Sequence, residues 1–192
     1  MTLVNLTIRA ATVADAPRLL AVYAPYVEHT AITFEYAVPT VAEFEKRIVN
    51  VLCRFPYLVA EADGEVLGYA YAAPFRARAA YGYCAEVTVY LAENARARGI
   101  GRQLYALLHA ILKAQGIVNT IACIMPPSDG AAYPSMHFHQ KMGYRFAGRI
   151  ENSGYKCGRW FDTVYMEKTL NPPVGDMRGL RTFDEVRRTF GL

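Results

Sequence analysis

The sequence predicts a mixed-sheet α/β layer fold, and three observations carry that reading. Two strand-like runs, Tyr57–Ala62 and Glu65–Ala72, are joined by Asp63-Gly64, which supplies the positive φ angles of a type I′ hairpin, so part of the sheet is antiparallel. The strand Tyr83–Leu91, the amphipathic helix Ile100–Gln115 and the strand Val118–Met125 form a strand–helix–strand unit, which requires a right-handed parallel crossover if both strands share a sheet. The full order is strand, two helices, three strands, helix, strand, helix, two strands, which suits helices layered on a sheet.

Taken from the N-terminus, Leu3–Arg9 alternates as a short strand. A helix follows, opened by Thr12 or Asp15. Pro17 favours Asp15 as the N-cap, because proline is tolerated in a first turn. Leu19, Leu20, Tyr23, Tyr26 and Val27 then recur at helical spacing. Thr40-x-x-Glu43 is a capping box ahead of a second helix bearing Phe44, Ile48 and Leu52. Leu104, Leu107, Leu108, Ile111 and Leu112 make one apolar stripe on the 100–115 helix, which Gly116 closes. Residues 126–134 read as a Pro- and Gly-rich loop, Ser135–Met142 as a short helix ended by Gly143, and Tyr144–Ile150 and Arg159–Leu170 as two last strands. Asn171-Pro172-Pro173 breaks the pattern, and Thr182-x-x-Glu185 caps a short helix with Phe183, Val186 and Phe190. We therefore expect a domain over 1–170 and an appendage over 171–192 that docks on the domain or on a second subunit.

Composition bounds the function. At 192 residues, 53% apolar and 20% charged, the chain is long enough for one cored domain and too apolar for disorder. No run approaches the ~18 apolar residues of a membrane span, and Met1–Arg9 lacks the features of a signal peptide, which predicts a cytoplasmic protein without a membrane partner. The net charge of +4 is mild and its basic residues are scattered, which argues against nucleic acid and suits a small polyanion. The four cysteines have no metal-ligand spacing, so no metal is expected and the thiols read as reduced. The 14 tyrosines against 1 tryptophan read first as packing residues with wet hydroxyls.

The segment Arg96-Ala97-Arg98-Gly99-Ile100-Gly101-Arg102 carries the strongest chemical signal. Glycines let a ligand approach the backbone, the first helical turn has unpaired N–H groups at the positive end of a dipole, and three arginines add charge. That combination makes a pyrophosphate site; the same residues also fit a basic turn ahead of a core helix. It is neither a P-loop, which needs Gly-Lys-Ser/Thr, nor a Rossmann turn, which needs a small residue where Leu104 stands. On the preceding strand, Glu86, Thr88 and Tyr90 share one face, and Val87 and Val89 the other.

Arg96-x-x-Gly99-x-Gly101 after Glu86–Leu91 resembles the acetyl-CoA signature of the GNAT N-acetyltransferases. Further matches point to the phosphinothricin/methionine sulfoximine acetyltransferase branch: Ile8-Arg9 through Asp15, Thr33-Phe34-Glu35, Gly68 through Tyr81, His139 through Tyr144, and Gly154 through Asp162. Together they cover about residues 6–170.

The resemblance implies a three-layer α/β/α fold with a mostly antiparallel central sheet, and acetyl-CoA as acetyl donor. It implies that pantetheine lies against the backbone of Val87 and Val89, and that the N–H groups of residues 97–102 hold the pyrophosphate. Glu86 becomes the candidate base, although its residue type alone also fits a solvated glutamate. His139, which shares a helix face with Ser135, stands where relatives often have a tyrosine. It becomes a candidate general acid or cofactor contact, or else a packing residue. Arg76 and Arg78 become a carboxylate clamp, with a solvated loop pair as the other reading, and Phe34, Glu35, Tyr81, Tyr83 and the segment 156–160 would line the acceptor pocket. Many relatives carry an asparagine contacting the cofactor where this chain has Ala132.

The implied function is acetyl transfer to the amine of a small amino-acid-like substrate, directly within a ternary complex, in a homodimer. Acetylation of a protein or peptide N-terminus, or a non-catalytic acyl-CoA sensor, are the alternatives.

Overall fold

A computed structural model describes residues 6–126, 134–176 and 179–192. The start of the first expected strand, most of the 126–134 loop and Ala132 lie outside the described residues.

Strands β1 (Thr7–Ala10), β2 (Tyr57–Ala62), β3 (Glu65–Pro74), β4 (Cys84–Leu91), β5 (Asn119–Ile124), β6 (Arg145–Lys156) and β7 (Arg159–Thr169) form one seven-stranded sheet in the order β1-β2-β3-β4-β5-β7-β6. Every neighbouring pair is antiparallel except β4–β5, which is parallel. Asp63 and Gly64 hold φ of 51° and 81°, the expected type I′ geometry between β2 and β3. Helices α1 (Ala16–His29), α2 (Val41–Leu52), α3 (Ile100–Gln115), α4 (Pro134–Lys141) and α5 (Phe183–Val186) complete the fold.

Strand alternation sorts the core onto two faces. Tyr57, Val59 and Tyr69 pack with Leu19, Tyr23, Phe44 and Ile48 of α1 and α2. Leu58, Ala60, Ala70 and Val87 pack with Leu104, Leu108, Ile111 and Leu112 of α3 on the other side. The result is the three-layer arrangement. Phe183 and Val186 join the α3 layer, both 1% exposed, and the Gln115 amide donates to Arg54 O and Arg181 O, so the C-terminal tail packs onto the same core.

Two local readings change. Asp15 is the residue before α1, but its side chain does not cap the helix. It accepts from the Thr12 backbone and from Arg9 and Arg18 at 2.7–2.8 Å, and Arg9 also reaches Glu61 at 2.9 and 3.0 Å. The Ile8–Asp15 motif is thus an ionic staple joining β1, β2 and the entry to α1. Arginine donation holds the Asp15 carboxyl far below its ordinary range, so its contribution to stability is present above the unfolded pKa and is lost on acidification. Asp15→Ala, which leaves Glu61 as the one carboxylate facing both Arg9 and Arg18, should cost about 2 kcal/mol and lower Tm by about 4–8 °C at pH 7. Thermal melts should show the gap to wild type narrowing below about pH 4.

The second change is β6, which does not stop at Ile150. Register slips between Ile150 and Gly154, with Asn152 at φ 51°, and the strand resumes to Lys156 before a tight turn at Cys157-Gly158. The Asp162 carboxylate secures this bulge by accepting from the Asn152 backbone and from Arg149.

Candidate active site

β4 and β5 pair only from Cys84–Asn119 to Glu86–Ile121, although both strands continue. From Val87 onward β4 has no partner on that side, so a slot opens between the strands. It is continuous with a cleft of about 870 Å³ whose walls include Glu86, Val87, Thr88 and Val89 of β4, Cys123 and Ile124 of β5, Ser135 and His139 of α4, and Phe34 and Glu35 of the 30–40 loop.

Glu86 stands at the last paired position, where the strands part. Burial raises its carboxyl above the ordinary range, and the Arg76 guanidinium opposes this only in part. No described side chain hydrogen-bonds it. A carboxylate desolvated and unpaired in this way is a poised proton acceptor.

His139 is 4% exposed and both ring nitrogens are committed. Nδ1 lies 2.7 Å from Ser135 O, which can only accept, so Nδ1 carries the hydrogen. Nε2, 3.0 Å from the Tyr105 hydroxyl, must then accept from it. Burial also holds the imidazole below its ordinary pKa. The expected general acid therefore has no proton aimed at the cleft; the ring fixes Tyr105, which also lines the cleft.

At the head of α3 the backbone turns left-handed at Ala97 (φ 58°) and Gly99 (φ 79°). Among the described residues the amides of Ala97, Arg98 and Gly99 donate to no other backbone group, and the first turn from Ile100 adds its own open N–H groups. Ile100 is fully buried and anchors the loop, while Arg96, Arg98 and Arg102 are exposed. An amide concavity with exposed positive charge around it fits a pyrophosphate. Packing alone does not require glycine at 101, since a Cβ there would make ordinary contact with Leu91 and Phe138 at 3.5 Å.

The 30–40 loop is pinned to β6. Lys156 Nζ donates to Val27 O and Thr33 O at 2.7 and 2.9 Å, and the Tyr36 hydroxyl donates to Tyr155 O at 2.6 Å. The Phe34 ring lies against Gly154, where a Cβ would fall 2.2 Å from it. The Thr33-Phe34-Glu35 and Gly154-Tyr155-Lys156 motifs are thus two halves of one contact.

Arg76 and Arg78 come together, but around a separate hollow of about 140 Å³ that also includes Tyr81, not around the main cleft. Arg76 does not line the main cleft, but its charge reaches Glu86 and Tyr165, which do. Tyr83 lines neither space. The spacing of two that placed the arginines on one face assumed an extended strand; β3 ends at Pro74 and a 3₁₀ turn begins at Ala79.

Several cleft residues escaped the sequence reading, three of them with chemistry of their own. Arg47 of α2 donates to Glu35 at 2.6 Å. Tyr105 and Cys123 are the others, Cys123 being one of the thiols read as reduced. Burial pushes its thiol up to about 11. None carries a local signal, because each enters the cleft through tertiary packing. Among the described residues no cluster could hold a metal ion.

Comparison with known proteins agrees with this geometry. Residues 8–165 match the acetyltransferase (GNAT) domain family. The phosphinothricin N-acetyltransferase of Alcaligenes faecalis is 38% identical over 166 residues, covering 86% of this chain and 83% of that protein. An L-methionine sulfoximine/L-methionine sulfone acetyltransferase of Pseudomonas paraeruginosa is 34% identical over 171 residues, covering 86% and 95%. The crystal structure of a phosphinothricin acetyltransferase from Sinorhizobium meliloti in complex with AcCoA superposes with a TM-score of 0.82 at 32% identity, covering 94% of this chain and 99% of that one.

Proposed function

The chain belongs to the GNAT acetyltransferase family and is an acetyl-CoA-dependent N-acetyltransferase, and from that premise we propose that it acetylates the amino group of a small amino-acid-like acceptor, of phosphinothricin or methionine sulfoximine type, by direct transfer in a ternary complex. The observation that carries this reading is Glu86, unpaired and desolvated where β4 and β5 separate.

Acetyl-CoA supplies the acetyl group as a thioester. Val87 and Val89 offer unpaired β4 backbone to its extended arm, as an added strand would be received. Residues 97–102 receive the pyrophosphate, and Ser135 lies at the slot near the reacting end. An acceptor ammonium, with a pKa near 8–10, must lose a proton before it attacks. Glu86 takes that proton, directly or through a water; the neutral amine then adds to the thioester carbonyl, the C–S bond breaks, and the departing CoA thiolate takes up the proton that the new amide nitrogen sheds. Phe34 and Glu35 wall the acceptor side, and Arg76 is the member of the clamp pair near enough to Glu86 to hold an α-carboxylate, with Arg78 supporting it from the adjoining hollow. Tyr81 acts from the wall of that hollow, and Tyr83 supports it from the 3₁₀ turn that carries both.

Cys123 supports direct transfer. With its thiol at about 11 it stays protonated near neutral pH and is a poor acyl carrier. Cys123→Ala should therefore keep kcat within about threefold of wild type. Two-substrate initial-rate plots should intersect; parallel lines and a dead Cys123→Ala variant would instead indicate an acyl-enzyme.

The reading extends to a homodimer in the cytoplasm, with residues 1–170 as the catalytic domain and 171–192 as its appendage. Exposed Phe146, Ile150 and Trp160 on the β6–β7 side support an interface there. Among the described residues no helix is long and apolar enough to cross a membrane.

The test is release of free CoA thiol over a panel of amino acids, polyamines and peptides. Release on amino acids is expected. Release only on peptides would make it an N-terminal acetyltransferase, and release on no amine would make it a sensor.

A further inference from the structure

Among the described residues, Arg47 is the only cation lining the main cleft. It comes from α2, whose buried residues are Phe44 and Ile48, so its neighbours on the helix surface face solvent. Its side chain is also exposed, at 45%, but its head group reaches across to residues of the cleft wall. Glu35 accepts from Nη1 at 2.6 Å, and the Tyr23 hydroxyl also lies against the guanidinium. Glu35 is in turn carried by the loop that Lys156 and Tyr36 fasten to β6. The guanidinium is therefore oriented from two sides, yet it has five N–H donors and spends few of them.

The charges of the cleft are divided in space. Glu86 has no hydrogen-bonded partner and feels Arg76. Arg47 acts on Tyr57 and Tyr71, and Tyr71 also feels Glu86. Glu86 thus stands between one cation at the adjoining hollow and a second cation on the α2 side. The walls between Glu86 and Arg47 are tyrosine rings, with Tyr57 and Tyr71 stacked at 4.9 Å. An acceptor with its amine at Glu86 and its α-carboxylate toward Arg76 would run its side chain along these rings and end at Arg47.

We propose that Arg47 is a specificity-determining residue, donating hydrogen bonds to oxygen atoms at the far end of the acceptor's side chain, with Glu35 holding the guanidinium in place. The assignment rests on the amino-acid-acceptor reading given above. It selects for a side chain ending in a carboxylate, phosphinate or sulfone oxygen. A hydrocarbon end would displace water from the exposed Arg47 donors without replacing its hydrogen bonds, and a site built for a hydrogen bond discriminates against an analogue that lacks it.

Methionine sulfone and methionine share one skeleton and differ by two oxygens, so their ratio of kcat/KM isolates the contact. Wild type should prefer the sulfone, and Arg47→Leu should reduce that preference at least about tenfold, through KM for the sulfone. Arg47→Lys should restore part of the preference, and Glu35→Gln, which loosens the guanidinium, should lose part of it. A structural role alone would lower both acceptors by one factor, and that result would overturn the assignment. So would a wild-type enzyme that acetylates both without preference. A wild type that acetylates neither, while releasing thiol on peptides, would overturn the amino-acid reading itself.

Discussion

Glu86→Gln should lower kcat/KM about a hundredfold at pH 7 while acetyl-CoA binding changes little. The substitution keeps shape and removes only the ability to accept a proton. Acetyl-CoA affinity is supplied elsewhere, by the β4 backbone beyond Glu86 and the amides at the head of α3, so calorimetric titration should give nearly the wild-type Kd. The pH dependence is the sharper measurement. Burial raises the Glu86 carboxyl, so its neutral form persists to higher pH than for an ordinary glutamate. The basic form that catalysis needs is therefore lost earlier on acidification. The acid limb of kcat/KM should lie above the usual carboxylate range and vanish in Glu86→Gln. Wild-type-like rates, or an unchanged acid limb, would remove Glu86 as the base.

What the sequence revealed follows from how local each determinant is. The Thr40–Glu43 and Thr182–Glu185 boxes close within three residues, and both form, with each threonine accepting from the glutamate amide. The Asp63-Gly64 turn and the 100–115 helix are likewise decided by adjacent residues. β6 was read short because Asn152-Ser153-Gly154 has the composition of a turn. The chain instead bulges there, since Asp162 across the hairpin takes up the Asn152 amide. The cofactor side of the site was legible because glycine, arginine and a helix start stand together in sequence. The acceptor side was not, because its geometry is made of distant pairs: Arg47 with Glu35, Tyr105 with His139, and Gly154 with Phe34. His139 shows the consequence most clearly. Its position suggested an acid, and only the hydroxyl of Tyr105, 34 residues earlier, reveals that its free nitrogen is already an acceptor.

Gly154→Ala should raise the acceptor KM about tenfold or more and leave the acetyl-CoA KM near wild type. A methyl at Gly154 would lie 2.2, 2.4 and 2.6 Å from three atoms of the Phe34 ring, far inside contact distance. The backbone of Gly154 is not left-handed, so the substitution acts through bulk alone. The ring must move, and its loop is not free to follow. Lys156 holds Thr33 O on one side and Tyr155 O holds the Tyr36 hydroxyl on the other. The displaced ring is thus driven toward the cleft that Phe34 lines, or leaves it unwalled. Such overpacking costs roughly 1–3 kcal/mol of stability, enough for a Tm drop of a few degrees without unfolding. Phe34→Ala removes the partner of the clash, so the two substitutions should be strongly non-additive. In the double variant, adding the methyl should cost almost nothing beyond Phe34→Ala alone. Steady-state kinetics and melting curves on the four-member cycle measure this coupling. Additive effects on KM would mean that the ring does not rest on Gly154, and that β6 does not set the position of the acceptor loop.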